Sequence, residues 1–211
     1  MDKLIIGIRK FKEKDFQERK NLFKSLANNQ APEVLFITCS DSRIDPSLIT
    51  QTEPGELFIC RNVGNIVPPH VITAGGITAS IEYAVEILNV KDVVVCGHTD
   101  CGAIKGAMYP DSISSLHPVS NWLGHSAAAQ AKVKARHGEL CEENTLEVIQ
   151  ENVVLQLKHL ETHPSVATAL AKGKMQLHGW VYDIAEGEIT FYDEKTTTFT
   201  SIESYIEKIE S

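Results

Sequence analysis

Three short apolar runs narrow the possible folds of this chain more than any other feature: Val34-Leu35-Phe36-Ile37-Thr38, Leu57-Phe58-Ile59-Cys60 and Asp92-Val93-Val94-Val95-Cys96. Their apolar residues are consecutive rather than alternating, the mark of strands buried on both faces of a parallel sheet. Parallel neighbours need a crossover between them, usually a helix. Asp45-Pro46-Ser47 supplies an N-cap followed by proline at a first helical turn, between the first two runs. From Thr78 a helix follows, with Ile81, Ala84, Val85 and Leu88 on one face, between the second and third. The order strand, short helix, strand, helix, strand predicts an α/β fold: a central, mainly parallel β-sheet flanked by helices, in a doubly wound arrangement.

The rest of the chain extends this frame. Residues 3–27 carry Leu4, Ile8, Phe11, Phe16, Leu22, Phe23 and Leu26 near a helical period, with charges between them. They predict one or two amphipathic helices, closed by Asn28-Asn29-Gln30-Ala31-Pro32. Helical periodicity returns over residues 118–136 and 144–162, with Pro164 breaking the second stretch. Residues 174–183 and 188–192 read as a hairpin around Ala185-Glu186-Gly187, and Ser201 to Ile209 as a last helix. With no repeat and no linker-like tract, 1–211 reads as one domain, in which 1–30 form an N-terminal helical arm suited to clasping a second subunit.

Chemistry gathers where two of the runs end. Cys39-Ser40-Asp41-Ser42-Arg43 follows the first, and Gly97-His98-Thr99-Asp100-Cys101-Gly102 follows the third. In open α/β sheets ligands bind at the carboxyl ends of strands. Cys39, His98 and Cys101 offer two thiolates and an imidazole, the outline of a catalytic zinc site with one position left for water. A single cysteine after a buried strand is ordinary core packing, and Cys60, Cys96 and Cys141 read that way. Asp41 and Arg43 are a carboxylate and a guanidinium beside the first ligand. Alone they would be a surface ion pair of little worth. Near a metal the carboxylate can orient a water by hydrogen bonding while the guanidinium fixes the carboxylate. The same carboxylate is also short enough to swing onto the metal as a fourth ligand. No P-loop, Gly-x-Gly-x-x-Gly or Gly-x-Ser-x-Gly motif occurs.

Together these stretches resemble the β-class carbonic anhydrases, in a plant-like and cyanobacterial-like form. The resemblance also rests on Arg61-Asn62-Val63-Gly64-Asn65, Ile81-Glu82-Tyr83-Ala84-Val85 and Leu177-His178-Gly179-Trp180, and it spans about residues 30 to 192. It implies reversible hydration of carbon dioxide to bicarbonate and a proton by zinc-bound hydroxide. Cys39, His98 and Cys101 would hold one zinc per subunit, and Asp41 and Arg43 would be the catalytic dyad. Gln30, Phe58, Val63 and Tyr83 fall where that branch lines its substrate pocket, and the Gly102 amide would donate to bicarbonate. Phe36 stands where the bicarbonate-inhibited branch carries tryptophan, which implies an open site without that regulation. Gly64 stands where plant-like members often have alanine. The resemblance further implies a homodimer or a higher assembly of dimers, with the pocket shared across the interface. His70, after Pro68-Pro69, is a candidate for passing the proton to buffer.

Two other readings of the same residues stay open: a zinc-holding relative without turnover, and a zinc hydrolase acting on another small electrophile. A net charge of −8 with no dense basic run argues against nucleic acid as a partner. No run of 18 apolar residues suggests a membrane span. Five cysteines without a paired framework fit a reducing compartment, so a cytoplasmic location is expected. The long C-terminal extension of some cyanobacterial relatives does not follow Ile209, so a carboxysomal location stays open but without support from the sequence.

Overall fold

The structure is a computed structural model that describes residues 1–72 and 75–210, the side chains of 208–210 excepted. The three apolar runs become neighbouring strands: β1 (Val34–Cys39), β2 (Leu57–Asn62) and β3 (Asp92–His98). With β4 (Gln176–Tyr182), β5 (Ile189–Asp193) and β6 (Thr198–Thr200) they form one sheet in the order β2-β1-β3-β4-β5-β6. The first four strands of that order are parallel, and β4-β5-β6 are antiparallel. β1 and β3 run further than their apolar stretches, so Cys39 and His98 are themselves the last residues of strands.

Alternation along β1 sends Leu35 and Ile37 to one face of the sheet and Phe36 to the other. On the first face Leu35, Ile37, Val93, Val95 and Val181 pack with Val148, Ile149, Val153, Leu157 and Leu160. Burying each such side chain is worth about 1.5–3 kcal/mol, which makes this the dominant core. On the second face Phe36, Val94 and Cys96 pack with Ile49, Trp180 and Tyr182.

In chain order the helices are α1 (Asp2–Lys10), α2 (Phe16–Glu18), α3 (Lys20–Leu26), α4 (Pro46–Thr50), α5 (Gly76–Glu82) and α6 (Gly102–Met108). Then follow α7 (His117–Leu123), α8 (Ala127–His137), α9 (Thr145–Glu161), α10 (Pro164–Ala171) and α11 (Ile202–Glu210). The N-terminal arm is helical as expected, α1 and α2 being joined by a π-helical turn at Phe11–Asp15. No residue of α1, α2 or α3 is buried. The arm coheres through its own rings, with Phe16 and Phe23 stacked at 5.3 Å and Phe11 edge-on to both.

Four details differ from the sequence reading. α5 begins at Gly76 rather than Thr78 and continues through a π-helical turn at Tyr83–Ile87. The stretch 118–136 divides into α7 and α8 at a 3-10 turn over Gly124–Ser126. Pro164 ends one helix but also opens the next, since a first-turn proline forfeits no helical hydrogen bond. Strand β6 has only three residues and no apolar run to announce it.

One contact in this frame matters for the site. A Cβ at Gly97 would come within 2.9 Å of Val153 and 3.2 Å of Ile149, so only glycine lets α9 lie this close to the sheet.

Candidate metal centre

β1 and β3 are adjacent and parallel, with Thr38 opposite Cys96. Their carboxyl ends therefore bring Cys39 and His98 side by side. After His98 the chain turns through Asp100, which has a left-handed φ of 55°, and Cys101 caps the start of α6. That turn returns Cys101 to the strand ends. One ligand atom from each of Cys39, His98 and Cys101 lies within 4.8 Å of the others. All three residues are buried, at 5 %, 0 % and 1 % exposure.

The donor chemistry of this trio fits a cation. His98 Nδ1 donates to the Thr99 carbonyl at 2.8 Å, which leaves the Nε2 lone pair facing the two sulfurs. Nε2 is fully buried and has no hydrogen-bond partner, a costly state for a polar atom unless something binds it. The Cys39 thiol is held well below its usual range, first by a hydrogen bond from the Cys101 thiol and then by the Gly64 amide, against the cost of burial. The Cys101 thiol is pushed up by that same hydrogen bond to Cys39 and by burial. A cation bound between the two sulfurs would take them as thiolates and release their protons. Two thiolates and one imidazole suit zinc, whose structural sites take four protein ligands and whose catalytic sites take three.

Asp41 and Arg43 sit at the rim of this trio. Arg43 Nε donates to Asp41 Oδ1 at 2.9 Å and Nη2 to Oδ2 at 2.8 Å, a two-pronged pair. The Arg43 amide adds a third bond to Oδ1 at 3.0 Å. These bonds from the guanidinium, and then from the amide, hold the Asp41 carboxyl far below the ordinary carboxylate range. Asp41 Oδ2 is 3.9 Å from His98 Nε2, so the carboxylate overlooks the space between the ligands.

The loop after β2 completes the wall. Gly64, at φ 79°, donates its amide to Cys39 Sγ at 3.4 Å. Here glycine suits the position, because a Cβ would also press on Ala103 and Leu123 at 3.3 Å. Asn152 on α9 donates to the Gly64 carbonyl, and Trp122 on α7 to the Val63 carbonyl. Arg61 had no assigned role in the sequence, yet it braces the first motif. Its Nε donates to the Cys39 carbonyl at 3.0 Å and its Nη2 to the Asp41 carbonyl at 2.6 Å. Its place in β2, directly opposite Thr38, is the signal that could have exposed this role.

The residues assigned to a substrate pocket are spread more widely. Gly102 follows Cys101 at the start of α6, and Val63 precedes the glycine that touches Cys39. Phe58 and Tyr83 pair with each other at 6.0 Å, and Tyr83 and Val63 are 44 % and 43 % exposed. Gln30 is exposed between α3 and β1. His70 packs its ring edge-on to His163 at 5.5 Å, beside the junction of α9 and α10.

Comparison with known proteins follows the same lines. A family profile described as Carbonic anhydrase matches residues 34–189. A carbonic anhydrase of Pseudomonas aeruginosa is 47% identical over 208 residues, 98% of this chain and 94% of its own length. The solved structure of the beta-carbonic anhydrase CcaA matches with a TM-score of 0.91 and 43% identity, covering 95% of this chain and 98% of that one. A structure from a study of two tetrameric beta-carbonic anhydrases of Sordaria macrospora matches with a TM-score of 0.79 and 30% identity, over 95% and 98% of the two chains.

Proposed function

The chain belongs to the carbonic anhydrase family, in its β class, and on that premise we propose that Cys39, His98, Cys101, Asp41 and Arg43 form its active site for the reversible hydration of carbon dioxide to bicarbonate and a proton. The observation that carries the site is the buried, unpartnered His98 Nε2 facing two thiols. Zinc bound there would supply a Lewis acid able to make water a nucleophile near neutral pH. Cys39, His98 and Cys101 would hold it, and the two thiolates would offset much of its charge. Turnover should therefore rise towards alkaline pH.

The remaining steps belong to the chain's own groups. Asp41, ionised across the neutral range and acceptor-only, takes the hydrogen bond of the attacking water and aims its lone pair. Arg43 keeps that carboxylate turned towards the ligands. Val63, Phe58, Tyr83 and Gln30 line the approach for a small apolar substrate, and the Gly102 amide donates to the bicarbonate oxygen.

We read residues 1–211 as one domain that works as a dimer or an assembly of dimers. Leu4, Ile5, Ile8 and Phe11 of the arm are exposed, as are Ile59, Val63 and Tyr83 near the pocket. Apolar surface of this kind supports burial against a second copy. No helix among the described residues is long and apolar enough to cross a membrane.

The test is stopped-flow carbon dioxide hydration by zinc-quantified protein at about pH 7 and about pH 8.5. Fast turnover, greater at the higher pH and lost in Asp41→Ala with zinc retained, is the expected result. Stoichiometric zinc without hydration at either pH would overturn the reading.

A further inference from the structure

Arg43 is held by two carboxylates, and the second comes from the turn after the neighbouring strand β3. Its Nη1 donates to Asp100 Oδ2 at 3.0 Å, and its Nη2 donates to the Asp100 carbonyl at 3.1 Å. With the two bonds to Asp41, four of the five guanidinium N–H groups are engaged. Asp100 can offer both a backbone and a side-chain oxygen in one direction because its φ is 55°. Lys105, one turn into α6, donates to Asp100 Oδ1 at 2.6 Å and leaves Oδ2 to Arg43. Lys105 in turn lies 3.6 Å from Glu142.

We propose that Asp100 is a positioning residue: anchored by Lys105, it fixes the plane of the Arg43 guanidinium and thereby the direction in which Asp41 faces the ligand trio. This deepens the reading of Asp41 and Arg43 as the reacting pair and rests on it. Asp41 and Arg43 belong to one short loop after β1, and a pair within one loop can rotate together. Asp100 ties that loop to the turn after β3, across the mouth of the trio. Without the tie, Asp41 is free to turn away from the trio or further towards it.

Stability does not explain the arrangement. Asp100 is 58 % exposed and Arg43 42 % exposed. Ion pairs that open to water add little to folding.

The test uses the zinc-loaded chain and three variants. Asp100→Gly removes the carboxylate while glycine keeps the left-handed turn without strain. Asp100→Asn keeps an oxygen for Arg43 and tolerates the same turn. We expect Asp100→Gly to retain zinc and melting temperature, to lose about tenfold in kcat/KM, and to exchange its Arg43 Nε–H faster by NMR. Asp100→Asn should restore most of both readouts. Lys105→Met should shift both in the same direction by less, and it decides the matter should Asp100→Gly fail to fold. Wild-type kcat/KM with unaltered Arg43 Nε–H exchange in the folded variants would overturn the proposal. The exchange readout stays informative even if Asp41→Ala proves fully active, so failure of the dyad reading and failure of the anchor are separable.

Discussion

The ligand trio and the layer of charge above it are a few ångströms apart and are built by different forces. Cys39, His98 and Cys101 are at most 5 % exposed and sit on strands and a helix start fixed by the core. The side chains of Asp41, Arg43 and Asp100 are 17 %, 42 % and 58 % exposed. They are held by hydrogen bonds between charged groups. Burial makes the first layer part of the fold, so its residues cannot change without consequences for packing. The second layer can be rearranged while the fold stands, which suits it to setting direction and rate.

The sharpest way to break this distinction is to alter a ligand. Cys39→Ser or His98→Gln should abolish stoichiometric zinc by elemental analysis and reduce hydration to background, because three donors are the least that a catalytic zinc site uses. Chelation should give the next largest effect. Zinc removal should lower the melting temperature measurably, since binding to the native state alone stabilises it. Arg43→Lys comes third, with zinc and melting temperature retained and kcat/KM lower by about ten- to a hundredfold, because an ammonium cannot make the two-pronged bond. Equal melting temperatures for the zinc-loaded and zinc-free proteins would mean that the trio is not coupled to the core.

The smallest effect concerns acid. His159 and His163 are held neutral below the ordinary histidine value, chiefly by burial, while donating to the Val67 and Pro68 carbonyls. A depressed histidine binds fewer protons when folded than when unfolded. Its stability contribution is therefore complete above about pH 6.5 and is lost as pH falls through the folded value. The Asp41 carboxyl is depressed as well, so its contribution is complete above about pH 4 and is lost progressively as pH falls from there towards its folded value. A melting-temperature series should show a first decline below about pH 6.5 that His163→Gln reduces, distinct from a later one that Asp41→Asn reduces. A single decline insensitive to His163 would remove the histidines from the account.

The trio was legible in the sequence because its signal is residue type at the end of a buried strand, and three apolar runs located those ends. The same runs located β1, β2 and β3, and the helical periods located α8 and α9. Asp100 was not legible. Its contribution depends on a left-handed turn that points two oxygens one way, and nothing in Thr99-Asp100-Cys101 fixes that turn in advance. Arg61 was hidden for a related reason, since its partners are backbone carbonyls, which leave no residue-type signal. β6 escaped because it is short and polar, and it exists by pairing with β5.

The bare backbone at Gly97 makes α9 a mechanical link between the two halves of the centre. Val153 and Ile149 rest on the residue just before His98. From the same helix, Asn152 and Gln156 hold the Gly64 carbonyl and the Val67 amide, and the Gly64 amide touches the Cys39 sulfur. A methyl group at position 97 would press on the Val153 and Ile149 side chains, so they or the helix that carries them would have to shift. The spacing between an imidazole on one strand and a sulfur on the next is thus gauged by the single hydrogen atom that Gly97 presents to α9, a third segment far along the chain from both.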